Sequence, residues 1–410
     1  LAKSEIAKRI QYTNFAAVWA SQTTAAVLIF TFPALAPLLV AKYALTTAQI
    51  GELTGIMYVG ISGLSIFISV LSDSVGVKKI LIAGHSIEAV SIIGASFSHN
   101  FLGFAVSIFA VGVGYSAITP VTSKAIMSWF SKENRSSVMG LKQTGTTVGG
   151  SIAGAVLPII GVSYGTGAAF VAAGLIVLSG IAFVLMYKEP ERVATLPVLN
   201  LKFLKQGISL SIRNNDLLSL GTAGFFYAAV QSIVVTYIAL FALDVLGFNP
   251  IIAGIFLSIV NVAGTIGRPA YGALSDRLFN GSRIMDFLLI AVTTCVMLFV
   301  LSFLRSSSGF WVAAPIVALL GFAALGWNGV FLTLAGEYSD RGFEAVGTSL
   351  AFSVAMTGQI LGAPIFGFVV QSTGSYSLGW QIFAAALLVA GLVFAIARRN
   401  HDPSKVKISG

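Results

Sequence analysis

Apolar stretches of about 18 residues or more follow one another down the whole chain, separated by short polar turns, and this leaves few folds open. Rising 1.5 Å per residue, a helix needs about 20 apolar residues to cross a hydrocarbon core of about 30 Å. Charged residues make up 10% of the 410, against about 25% in soluble domains, so the chain cannot clothe itself for water. It reads as an all-α membrane protein. Twelve spans are expected, at about 14–41, 47–71, 80–98, 101–128, 138–162, 166–187, 217–243, 251–274, 284–304, 309–335, 347–371 and 378–397.

An even number of spans puts both termini on one side. Of 24 Lys and Arg, nineteen fall at the termini or in the loops on that side, only Lys42 and Arg305 fall on the other, and Lys124, Lys142 and Arg268 lie inside spans. Basic residues collect on the cytoplasmic face, so both termini are expected in the cytoplasm of a cell that holds the protein in its plasma (inner) membrane. The net charge of +9 is thereby read as orientation, not as a nucleic-acid surface. The first residues are polar and basic, with no cleavable signal pattern.

The longest break, 188–216, mixes charges with Leu199, Leu201, Phe203 and Ile208, as a segment lying on a membrane surface would. It divides the chain into an N-terminal six-helix bundle, 1–187, a cytoplasmic linker, 188–216, and a C-terminal bundle with its tail, 217–410. Leu71-Ser72-Asp73 recurs as Leu274-Ser275-Asp276, each closing an apolar segment before basic residues. A repeat of half the chain length is the mark of secondary transporters, whose substrate site lies where the repeats meet.

The full loops read Ser69-Val70-Leu71-Ser72-Asp73-Ser74-Val75-Gly76-Val77-Lys78-Lys79 and Gly272-Ala273-Leu274-Ser275-Asp276-Arg277 with Gly281 and Arg283 following. This resembles the signature loop of the major facilitator superfamily between spans two and three, with its weaker copy between spans eight and nine. The first copy departs at Ser69, Ser74 and Val77, and the second has two extra residues before its glycine. The resemblance implies the major facilitator fold, two pseudo-symmetric six-helix bundles, and transport by alternating access. It also implies a gating latch from Asp73, Lys78, Lys79, Asp276 and Arg277, since an Asp at a helix end accepts from terminal amides and pairs with bases. The plainer reading is an ordinary turn with snorkelling lysines. Arg135 to Gly150 looks like the family's loop into span five, and Glu344 to Gln359 like its repeat. The Gly-Pro pair of drug antiporters is missing near Gly149 and Gly154. Ile108 stands where many proton-driven members carry arginine before Gly112-Val113-Gly114.

Arg268 is the most suggestive binding residue. It stands eight residues before Asp276, about 12 Å inside the span by helix rise. A guanidinium there costs at least about 2.5–3.5 kcal/mol, so a partner is expected. Monocarboxylate, oxalate/formate and nitrate porters use an arginine near this place to bind their anion. Arg268-Pro269 with Gly272, Ser275 and Asp276 looks like the carboxylate porters in particular. Those porters place an Asp four residues earlier, where this chain has Gly264, so their proton relay does not carry over. The plainer reading pairs Arg268 with a loop acid or lets it snorkel.

Lys124 is a second candidate for substrate, being in span four, which lines the cavity in the family. The resemblance adds Gln22, Tyr115, Tyr227, Gln231 and Asn328 from spans one, four, seven and ten as uncharged groups able to donate to an anion. Each also reads as packing. Glu88 is the only acid near the middle of a span and His85 lies one turn before it, so the two are candidates for proton coupling. The plainer reading has Glu88 cancel the charge of Lys124 or Lys142.

The function expected is therefore a secondary transporter for a small organic, monocarboxylate-like anion, coupled to protons or to exchange, with efflux of amphipathic compounds as the alternative. No cofactor is expected, and the partners are a small-molecule substrate, lipid and protons, with no nucleic acid and the chain a monomer. Cys295 is the single cysteine and His85, His99 and His401 the only histidines, which excludes a multi-cysteine or His-rich metal site and argues against an enzyme.

Overall fold

The structure is a computed structural model that describes residues 2–130, 132–189, 201–278 and 282–398. Side chains at 2–8, 66, 70, 73, 132–137, 201–204, 272–278 and 345 lie outside the described set. Among the described residues the chain is helical, with no strand.

The first half begins with α1 (Ala2–Ile29) and α2 (Thr31–Tyr43), which together fill the first expected span. They part because Pro33, three residues into α2, has no N–H for the Ile29 carbonyl. A reciprocal cap opens α3 (Thr47–Val75): Gln49 N–H donates to Thr46 Oγ1 at 3.2 Å, and Thr46 N–H to Gln49 Oε1 at 2.9 Å. Gly76 at φ 99°, open to glycine without strain, turns the chain into α4 (Val77–Ala95). The fourth span is α5 (Phe101–Tyr115) and α6 (Ile118–Trp129), parted where Pro120 has no N–H for Ser116. Then come α7 (Lys132–Tyr164) and α8 (Thr166–Met186).

In the second half a short helix, α9 (Leu201–Arg213), precedes α10 (Asn215–Asp244), which is capped by Asn214 accepting from the Asp216 and Leu217 amides. There follow α11 (Pro250–Leu278), α12 (Arg283–Leu301), α13 (Phe310–Ala324), α14 (Trp327–Tyr338), α15 (Glu344–Thr373) and α16 (Tyr376–Arg398). The tenth span is broken at Leu325-Gly326 as the fourth is at Ser116-Ala117, so the repeat extends to the breaks themselves.

Two compact units emerge. One comprises Leu1–Pro197 with Asn249–Ser258, the other Val198–Phe248 with Ile259–Gly410. Within each, helices meet where side chains are absent. A Cβ on Gly112 of α5 would fall on the Met57 carbonyl of α3, and one on Gly358 of α15 would fall on the Phe225 carbonyl of α10. Without a hydrophobic drive between helices in lipid, such close backbone approach supplies much of the association.

Large apolar side chains face outward as well as inward, and several polar ones are enclosed. Val90, Leu175, Trp311 and Ile396 are exposed, whereas Gln22, His85, Glu88, Lys142 and Asp286 are buried. Among the described residues, ten helical stretches are long and apolar enough to cross a membrane. The second and third expected spans are occupied by α3 and α4, the latter carrying Lys78, Lys79 and Glu88.

Candidate functional site

In the second unit, α11 lies close on α13. A Cβ on Gly264 would meet the Leu325 side chain at 2.7 Å, and one on Gly267 would fall on the Phe322 carbonyl. That approach carries Arg268, the next residue, to the break between α13 and α14, where its Nε donates to the Leu325 carbonyl at 3.3 Å. Arg268 is half-buried. Just past the break, Trp327 Nε1 and Asn328 Nδ2 both donate to Gln231 Oε1 of α10, at 2.7 and 3.2 Å. Gln231 and Asn328 are half-buried and Trp327 fully buried. A cation and two amide side chains thus collect around one helix break. Among the described residues the Nε2 group of Gln231 has no protein acceptor, which leaves two donors for a ligand.

Tyr227 meets this group through its ring, 5.9 Å from that of Trp327 between centroids. Its hydroxyl donates to the Phe287 carbonyl at 2.5 Å, and its ring stacks on Phe287 at 4.0 Å between centroids. It ties α10 to α12.

In the first unit Gln22 is wholly buried as a cross-brace. Its Nε2 donates to Gln143 Oε1 at 2.9 Å and Thr146 Oγ1 at 2.8 Å on α7, and its Oε1 accepts from Thr122 of α6 at 3.2 Å. Tyr115 is buried at the end of α5. Lys124 is half-buried and reaches Ser72 Oγ at 3.3 Å.

Glu88 pairs with neither lysine, which corrects the plainer reading of the sequence. Its Oε2 meets His85 Nδ1 at 3.1 Å, and His85 Nε2 meets Ser21 Oγ of α1 at 2.8 Å. Both residues of the pair are 0% exposed. The physical reason is local: three residues apart on a helix, the two side chains share a face and need no partner helix at a chosen height.

Of the expected latch, the side chains of Asp73, Asp276 and Arg277 lie outside the described residues. Lys79 is exposed. Lys78 binds within its own unit, its Nζ donating to the Leu185 carbonyl at 3.0 Å and its backbone N–H to Glu189 Oε1 at 2.8 Å. Glu189 is thus a carboxylate at a helix N-terminus, a place that favours anions. The partners of Ser21, Ser123, Gln143 and Glu189 are not evident from the sequence. Only Gln143, beside an intramembrane lysine, carried a signal. Among the described residues no group of three or more His, Cys, Asp or Glu is placed to hold a metal ion.

A family model described as Major Facilitator Superfamily matches residues 17–356. The chain is similar to the hexuronate transporter of Bacillus subtilis, 23% identical over 379 residues, covering 88% of this chain and 87% of that protein. It is also similar to a probable sulfoacetate transporter of Cupriavidus necator, 23% identical over 384 residues, covering 87% and 86%. Among solved structures, a bacterial homologue of the human lysosomal transporter Spinster, inward-facing and unoccupied, aligns with a TM-score of 0.74 at 16% identity, covering 97% of this chain and 98% of that one. At that identity the likeness speaks for the fold alone.

Proposed function

The chain belongs to the Major Facilitator Superfamily, and from that premise we propose that it carries a small organic anion across the membrane by alternating access, with Arg268 neutralising the cargo. The observation that carries the reading is the position of Arg268: inside the apolar stretch Pro250–Tyr271, half-buried, at a helix break that also holds Gln231 and Asn328. A guanidinium at such a place suits an acidic cargo, because its planar fork matches a carboxylate through two hydrogen bonds and stays charged.

The names of two relatives support the class. Hexuronate is an acidic sugar, and sulfoacetate carries both a carboxylate and a sulfonate. The arginine motif by itself suggested monocarboxylates. The carboxylate common to all of these is the feature we assign to the cargo. Coupling to protons falls to His85 and Glu88, and the bias of basic residues puts both termini in the cytoplasm.

Counterflow uptake into proteoliposomes tests the proposal, using labelled glucuronate, sulfoacetate, lactate and oxalate beside a cationic dye. Arg268→Ala should lower anion uptake about 30-fold or more, the usual loss when one partner of a desolvated charge pair is removed. Dye transport that survives the substitution, with no anion moved, would replace the anion reading with efflux of amphipathic compounds.

A further inference from the structure

Lys142 has no use in the site described so far. It lies five residues into the apolar part of α7 and is 0% exposed. Its Nζ donates to Ser123 Oγ at 2.9 Å and to the Thr119 carbonyl at 3.4 Å, both on α6. Those partners are neutral. Among the described residues no carboxylate comes within ion-pair distance of it. The described acids of the first unit are placed elsewhere: Glu88 on His85, Glu189 on the start of α4, and Glu52 exposed near the start of α3.

A buried lysine whose hydrogen-bond partners among the described residues are neutral oxygens is a poor structural element, because dipoles replace the hydration of its ammonium incompletely. The surroundings look suited to a ligand instead. Thr119 and Ser123 on α6, with Gln143 and Thr146 on α7, are half-buried polar residues in otherwise apolar stretches. Ser123 and Thr119, which hold the ammonium, are themselves half-buried, so Lys142 lies one hydrogen bond away from partly accessible polar residues. Hydroxyl and amide groups beside an ammonium are the donors that carboxylate, sulfonate and phosphate oxygens accept from.

We infer that Lys142, seated on Ser123 and Thr119, is an anion-binding group of the first unit that receives the acidic headgroup of the cargo. The inference rests on the reading of the cargo as an anion and not on the role given to Arg268.

The experiment uses the purified full-length protein, titrating thermal stabilisation with glucuronate, sulfoacetate and glucose 6-phosphate, and repeating counterflow with whichever anion binds. Lys142→Met and Lys142→Gln should raise the apparent Kd about 30-fold or more, while Lys142→Arg, which keeps the charge, should stay within about tenfold. Without ligand, Lys142→Met should melt at or above the wild-type midpoint, because an uncompensated buried charge has been removed. A purely structural lysine gives the opposite pattern, a lowered midpoint with an unchanged Kd, and that result overturns the inference. If the Met variant does not fold, the Gln variant, which still donates toward Ser123, decides it: binding within about threefold of wild type overturns the inference. Should the wild type bind and move none of the anions, the reading of the cargo fails and this inference with it. Should it move one that the Met and Gln variants move equally well, only the role of Lys142 fails.

Discussion

Replacing Gln22 by Leu distinguishes a brace from a substrate ligand. The side chain is fully buried and joins α1 to α6 and α7 through three hydrogen bonds. Thr122 can fall back on the Ile118 carbonyl, already 2.6 Å from its hydroxyl, so its bond counts for little. The two bonds from Nε2 remain. Side-chain bonds between membrane helices average about 0.6 kcal/mol and reach about 1.7, so their loss should cost about 1–3 kcal/mol. Leucine is close to glutamine in size, which keeps any cavity or overpacking contribution small. For a unit of this size the expected fall in melting midpoint is about 2–10 °C, read by differential scanning fluorimetry of the purified protein. The KM for the transported anion should stay within about threefold of wild type, since uniform binding is untouched. An unchanged midpoint with a KM raised about tenfold would refute this reasoning and return Gln22 to the substrate.

Other predictions follow from the buried pair and from the start of α15. Glu88→Leu leaves a ring nitrogen of His85 without its partner and should destabilise by about 1–3 kcal/mol, whereas the double replacement His85→Leu/Glu88→Leu should recover most of that loss in thermal unfolding. If the pair carries the coupling proton, Glu88→Gln should abolish uptake driven by a pH gradient and spare counterflow; uptake that survives assigns the proton elsewhere. Glu344, outside the membrane spans, accepts from the Gly342 N–H at 2.9 Å and from its own, and these bonds hold its carboxyl below its ordinary 4.5. A depressed carboxyl stabilises the fold above its unfolded value and loses that contribution as pH falls through the folded one. The melting midpoint should therefore drop as pH falls below 4.5, and Glu344→Gln should flatten that part of the profile.

What the sequence by itself determined is what depends on each segment alone. Apolar length and sparse charge specified membrane-spanning helices, because a backbone in hydrocarbon must satisfy its own hydrogen bonds. The doubled Leu-Ser-Asp loop specified the family, and the three-residue spacing of His85 and Glu88 placed them on one face. The breaks at Pro33 and Pro120 were legible too, since a proline three residues into a helix leaves a carbonyl without its donor, yet the spans were read as continuous. The break at Leu325-Gly326 has no proline at the corresponding place to announce it.

Tertiary structure alone decided which polar groups meet. Gln22 became a brace, Tyr227 stacked on Phe287, Gln231 drew in Trp327 and Asn328, and Lys142 came to rest on neutral oxygens. Each outcome depends on the rotation and height of two helices against one another. Those are set by close approaches such as Gly267 on the Phe322 carbonyl, and no single helix encodes them in its own periodicity.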